Sequence, residues 1–342
     1  SMKSMRGAAD KYDKIMKQAS EDTHPDGKVL PPSTHGRRLE LRDVRFRYTP
    51  EGAPVLRGVS LDIAPGEMVG FVGMSGGGKT TAAMAALGLY PLESGQILVD
   101  GTPMSELNLR AYRNEVGMAL QDSIPFAATL SENIGYLRQD ASEAEIWAAA
   151  KAAGLHDQVV RLGADAALSA ETKKDPAKKA VLESLSQRVD LGSLRSADEV
   201  LAAAGKAGAL DDVARLGYLA RVGERGVNLS GGQKQRLMLA QVFLQPDKPF
   251  GLMIYDEPTS ALDGRTQALI EEQILARRGR TTQIVIAHRL SNVQRADRIV
   301  VFQDGAIVEQ GTHDDLMRAG GVYAKMCDAQ RLLDAAAGHR AE

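Results

Sequence analysis

Cysteine is nearly absent from this sequence of 342 residues. The single residue of this type, Cys327, excludes an intramolecular disulfide, and such sparing use fits a reducing compartment without requiring one. We interpret Cys327 as a small packing residue near the C-terminal end of the sequence. A hydrophobic fraction of 44% and a charged fraction of 25% allow a sizeable core and argue against global disorder.

Long apolar runs are also missing, and the net charge is small. No stretch of about eighteen or more apolar residues is present, so we expect no transmembrane helix within these residues. Residues 1–17 are charged and lack the apolar stretch of a secretory signal peptide. The formal net charge of -2 gives the chain as a whole no attraction to nucleic acid or to an anionic membrane, and we expect no nucleic-acid partner.

Changes in composition divide the chain. Residues 5–19 have helical character, and residues 20–37 are rich in proline, glycine and polar groups, as a linker would be. Apolar and polar residues alternate from Leu39, where we expect the first half-buried strand. Strands and helices then alternate, which predicts an α/β fold with a mostly parallel sheet. The expected strands are Met68–Val72, Leu252–Tyr255 and Ile284–Ala287, and the expected helices are Thr80–Leu89, one from Gly231 onwards and one around 265–277.

The region from 141 to 220 is rich in Ala, Leu, Asp, Glu and Lys and predicts a helical subdomain without strands. Residues 142–163 and 196–217 align without gaps at an offset of 54 residues. Two alanine-rich helices can look alike by chance, but both copies end in Arg-Leu-Gly and share a Gly-x-x-Asp spacing. We therefore predict a tandem duplication, with too few copies for a solenoid.

The segment from Gly73 to Thr80, GMSGGGKT, fits the phosphate-binding pattern G-x-x-x-x-G-K-[ST] between an apolar strand and a helix. Its glycines let backbone N–H groups curl around phosphates, and the following helix points its positive end at the anion. Lys79 can neutralise the β- and γ-phosphates, and Thr80 can give its hydroxyl to Mg²⁺. Alone, this pattern predicts a nucleoside triphosphate site and nothing narrower.

Two acids end the apolar strand that begins at Leu252. Asp256 is placed to hold Mg²⁺, and Glu257 could orient and deprotonate an attacking water. Without the phosphate loop, a solvated strand end would be an equally good interpretation. Tyr255, a residue with a polar tip in this strand, needs a hydrogen-bond partner if it is buried.

A third motif, Leu229-Ser-Gly-Gly-Gln233, precedes another helix. Ser230 is a natural N-cap, and Gln233 three residues later has the spacing of a capping box. The free N–H groups and the positive dipole end at such a helix start make a second phosphate site. Alone, the pentapeptide would indicate only a well-capped helix.

Together the three motifs resemble the ATP-binding cassette (ABC) family, from about Leu39 to Lys325 and in the family's order. The resemblance implies a RecA-like phosphate-loop core, with a mostly parallel sheet, an antiparallel β subdomain and an all-helical subdomain. It also implies an aromatic ring for adenine at Tyr48, a glutamine that senses Mg²⁺ and the membrane domain at Gln121, a D-loop at Ser260-Ala-Leu-Asp263, and a histidine that contacts the γ-phosphate at His288.

Three groups of site residues follow from the resemblance. The implied catalytic residues are Glu257, His288, Lys79 and Gln121. The implied nucleotide-binding residues are Tyr48, Gly73, Ser75, Gly76, Gly77, Gly78, Lys79, Thr80, Thr81, Ser230, Gly231, Gly232, Gln233 and Asp263. The implied Mg²⁺ ligands are Thr80, Gln121 and Asp256.

The resemblance further implies a head-to-tail dimer, because the phosphate loop and the LSGGQ motif are each half of a site. ATP would lie between Lys79 of one copy and Ser230 of the other. Both halves look intact, so a homodimer could hydrolyse two ATP molecules, and a heterodimer stays open. If Glu257 is the base, Glu257→Gln should keep ATP binding, stall hydrolysis and leave a long-lived dimer.

Several stretches are similar to exporter cassettes, in which a membrane domain precedes the cassette on the same chain. They are Thr129–Ile134, the X-loop-like Gly223–Gly226, Ala287–Ser291, Ala296–Val300, Glu309–Asp314 and Gly320–Tyr323. The cassette would then sit at the cytoplasmic face of a membrane. The implied parts are 1–37 as linker and tail of that membrane domain, 38–120 and 227–327 as the ATP-binding core with its β subdomain, 121–226 as the helical signature subdomain with a duplicated insertion at about 142–217, and 328–342 as a C-terminal tail.

The helical subdomain departs from the family pattern, because it is longer by roughly one repeat unit. Either copy could be the family's ordinary helices, which leaves the insertion near 142–195 or 164–217. It could contact the membrane partner, another protein or only water. A tolerated surface insertion is the simplest interpretation, because loops accept extra length at low cost.

Three other functions are alternatives to an exporter motor. ABC ATPases of DNA repair, chromosome structure or translation usually carry a coiled-coil insertion or two fused cassettes, and one cassette without a sustained heptad run is seen here. A regulatory module that binds nucleotide without hydrolysis is disfavoured by intact Lys79, Asp256, Glu257 and His288. An importer subunit is disfavoured by the X-loop-like GERG and the upstream linker. The transported substrate is not encoded in these motifs.

Overall fold

Two β-sheets frame the protein in a computed structural model that describes residues 24–120, 124–244, 250–260, 262–287 and 289–338. The strands of the described part are β1 (Leu39–Phe46), β2 (Leu56–Ile63), β3 (Met68–Gly73), β4 (Ser94–Val99), β5 (Thr102–Pro103), β6 (Val116–Ala119), β7 (Leu252–Asp256), β8 (Thr282–Ile286), β9 (Arg298–Gln303) and β10 (Ala306–Gly311).

The larger sheet has six strands in the order β10-β9-β3-β8-β7-β6. All its neighbouring strands are parallel except the edge pair of β9 and β10. Every residue of β3, β7 and β8 is buried, as expected where helices cover both faces of a parallel sheet. The predicted mostly parallel sheet is therefore confirmed.

The smaller sheet is antiparallel, in the order β2-β1-β4-β5. Its strand β1 begins at Leu39, and its buried side chains alternate at first as the sequence predicts. A register shift follows Leu41, and Asp43 takes a φ of 47°. This bulge leaves Asp43 exposed and returns Val44 to the core, which the alternation alone would not predict.

Helices cover the large sheet and form a separate layer beyond it. The helices of the described part are α1 (Lys79–Ala85), α2 (Leu109–Arg113), α3 (Leu130–Ile134), α4 (Glu143–Ala152), α5 (His156–Leu168), α6 (Pro176–Ser186), α7 (Ala197–Ala207), α8 (Leu210–Tyr218), α9 (Gly231–Phe243), α10 (Gly264–Leu275), α11 (His313–Ala319) and α12 (Val322–Gly338). Among the described residues, no helix is both long enough and apolar enough to cross a lipid bilayer.

Several element boundaries differ from the sequence prediction. The helix predicted at Thr80–Leu89 ends at Ala85, and Gly88 just beyond it takes the left-handed φ of 65°. The strand predicted at Ile284–Ala287 begins at Thr282 instead and ends at Ile286. Its first two residues, Thr282 and Gln283, are polar but fully buried. A prediction based on apolar residues therefore places the start of the strand too late.

The helical region 141–220 contains both repeat copies, and no strand occurs in it. The first helix of copy one, α4, packs on α9 and α10 of the main body, whereas its counterpart in copy two, α7, packs on α5 and α8. Copy two in turn supplies its second helix, α8, which packs on α3, so each copy contributes one helix to the contact with the main body. The segment 164–217 contains a small hydrophobic core, built from Ala164, Ala167, Leu182, Leu185, Val189, Ala197, Val200, Ala204, Ala209, Val213 and Leu216.

Ordered contacts extend beyond both predicted ends of the core. Arg37 is only 3% exposed, and its guanidinium pairs with Asp100 at 2.8 Å and Glu115 at 2.6 Å. Lys28 forms a bridge with Leu107, so the second half of the predicted linker 20–37 is packed on the body. At the other end, α12 runs without interruption across the boundary predicted between 327 and 328.

Candidate active site

The phosphate loop joins the buried strand β3 to helix α1. Gly73, Gly76 and Gly78 take φ values of 141°, 79° and 99°, which residues with a Cβ rarely adopt. A Cβ on Gly73 would lie 2.1 Å from the carbonyl oxygen of Phe302, so this glycine is also required by close packing. Apart from Gly76 and its chain neighbours, none of the described residues has an atom within 4 Å of a Cβ built on Gly76, so this side of the loop is open in the described structure.

Lys79, the first residue of α1, is folded back into the loop. Its Nζ donates to the carbonyl oxygens of Gly73 at 2.8 Å and Met74 at 2.9 Å. Burial lowers the pKa of the Lys79 ammonium below its ordinary value, and the carboxylates of Asp256 and Glu257 partly oppose that shift. A desolvated cation held by loop carbonyls is well placed to attract an anion entering the loop.

Thr80 and Asp256 connect the two halves of the predicted triphosphate site. The Thr80 hydroxyl donates to Asp256 Oδ2 at 3.1 Å across 176 residues of sequence. A hydroxyl and a carboxylate side by side are the hard oxygen donors that Mg²⁺ prefers, and Mg²⁺ usually completes its shell with water and phosphate oxygens. The residues present therefore fit Mg²⁺, although no group of three or more His, Cys, Asp or Glu side chains suited to a metal occurs in the described ranges.

Glu257 follows directly and has a strained backbone. Its φ is 49°, an uncommon value for a residue with a side chain, and such strain concentrates at functional positions. Its N–H donates to the carbonyl of Ile286 at 3.0 Å, and its carbonyl accepts from Gln235 Nε2 at 2.5 Å. These two bonds fix the residue between the sheet and α9.

The LSGGQ motif begins α9 with the predicted capping box. The Ser230 hydroxyl accepts from the Gln233 backbone at 3.3 Å, and Gln233 Oε1 accepts from the Ser230 backbone at 2.8 Å. The capping-box prediction is confirmed. Ser230 is exposed, and no other described part of the chain comes within 4 Å of a Cβ built on Gly231, so the positive end of this helix is uncovered by the described residues.

Tyr48 stands beside the phosphate loop. Its hydroxyl lies 3.0 Å from the Thr81 hydroxyl, and its ring meets Phe46 and Tyr90 edge to face. The side chain is still 59% exposed, which leaves ring surface free for a flat ligand. Thr81, by contrast, is buried and already bonded to Tyr48.

Asp263 is turned toward its own chain. Its carboxylate caps α10 by accepting from the Thr266 backbone at 3.0 Å and from Arg236 Nη2 at 2.6 Å. The hydrogen bonds from the Thr266 backbone and hydroxyl lower the pKa of the Asp263 carboxyl. The geometry thus gives Asp263 a structural role as a cap, and its predicted contact with nucleotide stays a prediction.

Two functional candidates were missed by sequence reasoning, Gln235 and Arg236. Gln235 holds the carbonyl of Glu257, and Arg236, which is only 7% exposed, links α9 to Asp263. They lie two and three residues after the LSGGQ motif, and polar residues within a helix resemble a solvated face. Their position next to a motif was the one sequence feature that could have singled them out.

The structure therefore brings the phosphate loop, Asp256 and Glu257 together and ties α9 to Glu257. Within the described residues, no hydrogen bond joins Ser230 or Gln233 to the phosphate loop. The predicted Gln121 and His288 lie outside the described residues. The remaining predicted nucleotide-binding residues lie in the loop or in the first turn of α9, and they are Ser75, Gly77 and Gly232.

Comparison with known proteins agrees with this geometry. Residues 56–260 match the model of the ABC transporter family. Over 295 residues the chain is 36% identical to a candidate multidrug export ATP-binding/permease protein of Staphylococcus aureus strain NCTC 8325. A relative of the same description from the bovine strain RF122 is 35% identical. Each match covers 86% of this chain but 42% of the relative, so the chain spans less than half the length of these proteins.

A solved structure described as a bacterial Atm1-family ABC exporter with ATP bound is also similar. It has a TM-score of 0.71 and 30% sequence identity, and the match covers 96% of this chain and 47% of that one. The family model spans the phosphate loop, the LSGGQ motif and the Asp256–Glu257 pair in the order in which the fold assembles them. This chain belongs to the ABC transporter family.

Proposed function

We propose that this chain is the ATP-binding and ATP-hydrolysing motor domain of an ABC exporter. The observation that carries the proposal is the contact of Thr80 with Asp256, directly before the strained Glu257. That contact puts a phosphate loop, a pair of Mg²⁺-compatible oxygens and a candidate base in one place. The division into a core (38–120 and 227–327) and a helical subdomain (121–226) belongs to the same proposal.

Hydrolysis follows from the roles that these residues can take. The loop N–H groups and Lys79 bind the β- and γ-phosphates, so the ammonium exchanges its loop carbonyls for phosphate oxygens. Glu257 orients a water and takes its proton, while the water oxygen bonds to the γ-phosphorus and the bond to the β–γ bridging oxygen breaks. The products are ADP and inorganic phosphate. Mg²⁺, held by Thr80 and Asp256, would supply positive charge for the phosphate oxygens, and Gln121 and His288 are the further proposed contacts.

A second copy of the chain completes the site in this proposal. The exposed, positively polarised start of α9 at Ser230 fits a phosphate but makes no hydrogen bond to the phosphate loop of its own chain, as far as the described residues go. A head-to-tail dimer supplies it to the γ-phosphate bound at Lys79 of the partner. ATP then stabilises the dimer, and hydrolysis releases it.

The membrane partner is proposed from an apolar patch and from the length of the relatives. The rings of Phe126 and Tyr136 are in contact, with centroids 4.3 Å apart and planes tilted by 30°, yet they are 48% and 50% exposed. Ile124 and Leu137 beside them in sequence are more exposed still. Such clustered exposed apolar groups mark interaction sites. A membrane domain of the same transporter is the proposed occupant, and the cytoplasmic face of a membrane is the proposed location.

The decisive experiment compares the chain with its Glu257→Gln variant. We expect the wild type to release phosphate from ATP and Mg²⁺, and the variant to bind ATP, lose turnover and form a dimer by light scattering. Glu272→Gln, an exposed carboxylate on α10, is the matched control and should behave as the wild type. A Glu257→Gln variant that turns over ATP at near the normal rate would exclude Glu257 as the base.

A further inference from the structure

The last helix, α12, supports the turn that follows β8. Gln330 of α12 accepts a hydrogen bond from the Leu290 backbone N–H at 2.9 Å. The start of the same helix is fixed by Glu309, which accepts from the Val322 and Tyr323 backbones at 2.5 and 3.0 Å. The helix is thus anchored at one end, and Gln330 holds the one-turn 3-10 helix Leu290–Val293.

That turn is linked in its other direction to the segment after β7. Asn292 Nδ2 donates to the Thr259 hydroxyl at 2.8 Å, and Asn292 Oδ1 accepts from Gln267 of α10 at 2.9 Å. Thr259 is 1% exposed, so its hydroxyl has little access to water as an alternative partner. Losing the Asn292 amide would therefore leave a buried polar group poorly satisfied.

The linked segment is the one that carries the candidate base. Thr259 lies two residues after Glu257, and the Ser260 N–H donates to the Glu257 carbonyl at 3.3 Å. The turn is also wedged against the strand leading to the phosphate loop, since a Cβ on Gly70 would lie 2.6 Å from Val293 Cβ. A contiguous set of contacts therefore runs from Gln330 through Leu290–Val293 and Asn292 to the backbone of Glu257.

We propose that Gln330 and Asn292 are positioning residues for ATP hydrolysis, which hold the turn Leu290–Val293 so that the loop of Glu257 keeps its working geometry. This inference rests on the proposed function. Neither side chain touches the phosphate loop through a hydrogen bond within the described residues. Their loss should therefore affect the chemical step more than nucleotide binding.

The test measures kcat, KM for ATP and affinity for a non-hydrolysable ATP analogue in single variants of the whole chain. Gln330→Met and Asn292→Leu keep the side-chain size but remove the hydrogen bonds. A displacement of about 1 Å can cost about a hundredfold in rate, so we expect kcat to fall by roughly ten- to a hundredfold. KM and analogue affinity should stay within about twofold, because neither variant removes a contact that binds ATP in the ground state.

Two controls separate positioning from general stability. Gln330→Glu retains an acceptor oxygen and should keep near-normal kcat, whereas Gln294→Met changes an exposed glutamine without a hydrogen bond in the described part and should have no effect. Exchange of the Leu290 amide hydrogen, followed by NMR, should speed up in Gln330→Met but not in the two controls Gln330→Glu and Gln294→Met. This readout does not require turnover.

Failure of the inference is distinguishable from failure of the proposed function. A wild-type chain that never hydrolyses ATP refutes the function and the inference together. An active wild type with unchanged kcat in Gln330→Met and Asn292→Leu overturns only the inference. A loss that Gln330→Glu shares equally, or one confined to KM, overturns it as well.

Discussion

Gly163 in α5 and Gly217 in α8 each lie against the backbone of the other helix. A Cβ on Gly163 would be 1.8 Å from the carbonyl oxygen of Val213, and one on Gly217 would be 1.9 Å from that of Val159. The two contacts are equivalent in the repeat, because Gly217 and Val213 lie 54 residues after Gly163 and Val159. The copies thus pack about a pseudo-twofold axis, as two subunits do in an isologous interface.

Alanine at either glycine should separate the two helices. We expect Gly163→Ala and Gly217→Ala each to lower the free energy of unfolding by about 1–3 kcal/mol, because a methyl group cannot enter a backbone contact without shifting it. Gly205→Ala in α7 is the matched control, since outside its own helix no described residue lies within 4 Å of its Cβ position. That change should stabilise by about 0.5–1 kcal/mol through helix propensity. Urea unfolding followed by circular dichroism measures all three, and equal stabilities would contradict the packing.

Residues 164–217 should be removable as one unit. Their deletion joins Gly163 to Tyr218, and Gly217 N already lies 2.8 Å from the Cβ position of Gly163. Helix α4 keeps its packing on α9, so we expect a folded chain with ATP turnover within about threefold of wild type. Deleting 142–195, which has the same length, would put α7 in the place of α4. Because α4 is the helix that now packs on α9, this deletion should lower the melting temperature further. An aggregated 164–217 deletion would show that the second copy is essential.

Removal of the Tyr255 hydroxyl should stabilise the protein. The side chain is fully buried, and its hydroxyl has no hydrogen-bond partner among the described residues. Burial raises the pKa of the Tyr255 phenol to about 12. Tyr255→Phe removes an unsatisfied polar atom and should raise the free energy of unfolding by about 1 kcal/mol. Tyr218→Phe removes the 2.9 Å contact between the Tyr218 hydroxyl and His156 Nδ1 and should lower the free energy of unfolding. If denaturant titrations showed both variants shifting this free energy in the same direction, the prediction would be wrong.

Glu145 should make α4 sensitive to acid. Hydrogen bonds from the Ser142 hydroxyl and backbone, then from Arg138, lower the pKa of the Glu145 carboxyl to about 2. Because the folded-state pKa lies below the unfolded one, this stabilisation is complete above about pH 4.3 and is lost as the pH falls toward 2. Glu145→Gln keeps an acceptor for the cap but cannot titrate.

The corresponding measurement is the urea midpoint at pH 6, 4 and 3. The wild type should lose more stability over this range than Glu145→Gln. Glu171→Gln serves as the control, because the Glu171 side chain is exposed and makes no hydrogen bond in the described structure. Identical pH dependence in the wild type and Glu145→Gln would show that this carboxylate does not govern acid sensitivity.

Local spacing decided which features could be predicted from the sequence. The capping box of Ser230 and Gln233 is predictable because its two residues lie three positions apart. The buried strands β3 and β7 are predictable because each is an apolar run. The Thr80–Asp256 contact spans 176 residues and came from motif order rather than from any local pattern. Burial of Arg37 and Arg236 depends on carboxylates distant in sequence, which no local rule connects to them.

The candidate site divides in the same way. The glycines of the phosphate loop were predictable because their conformations demand glycine. Gln235 was not, since its importance comes from meeting the Glu257 carbonyl across 22 residues. Tyr48 and Asp263 show a further limit, because their side chains have partners within the chain that the resemblance did not imply.

The bond from Gln235 to the Glu257 carbonyl has a consequence for how two sites would communicate. Ser230 begins the same helix that Gln235 joins to the base, and helices transmit displacement as stiff bodies. In the proposed dimer, nucleotide held by one molecule contacts the helix start of its neighbour and so shifts the neighbour's own glutamate. Because Glu257 is the proposed base, this link would act on the hydrolytic step at the neighbour's site rather than on its affinity for nucleotide, and a coupling of that kind need not be equal in the two directions.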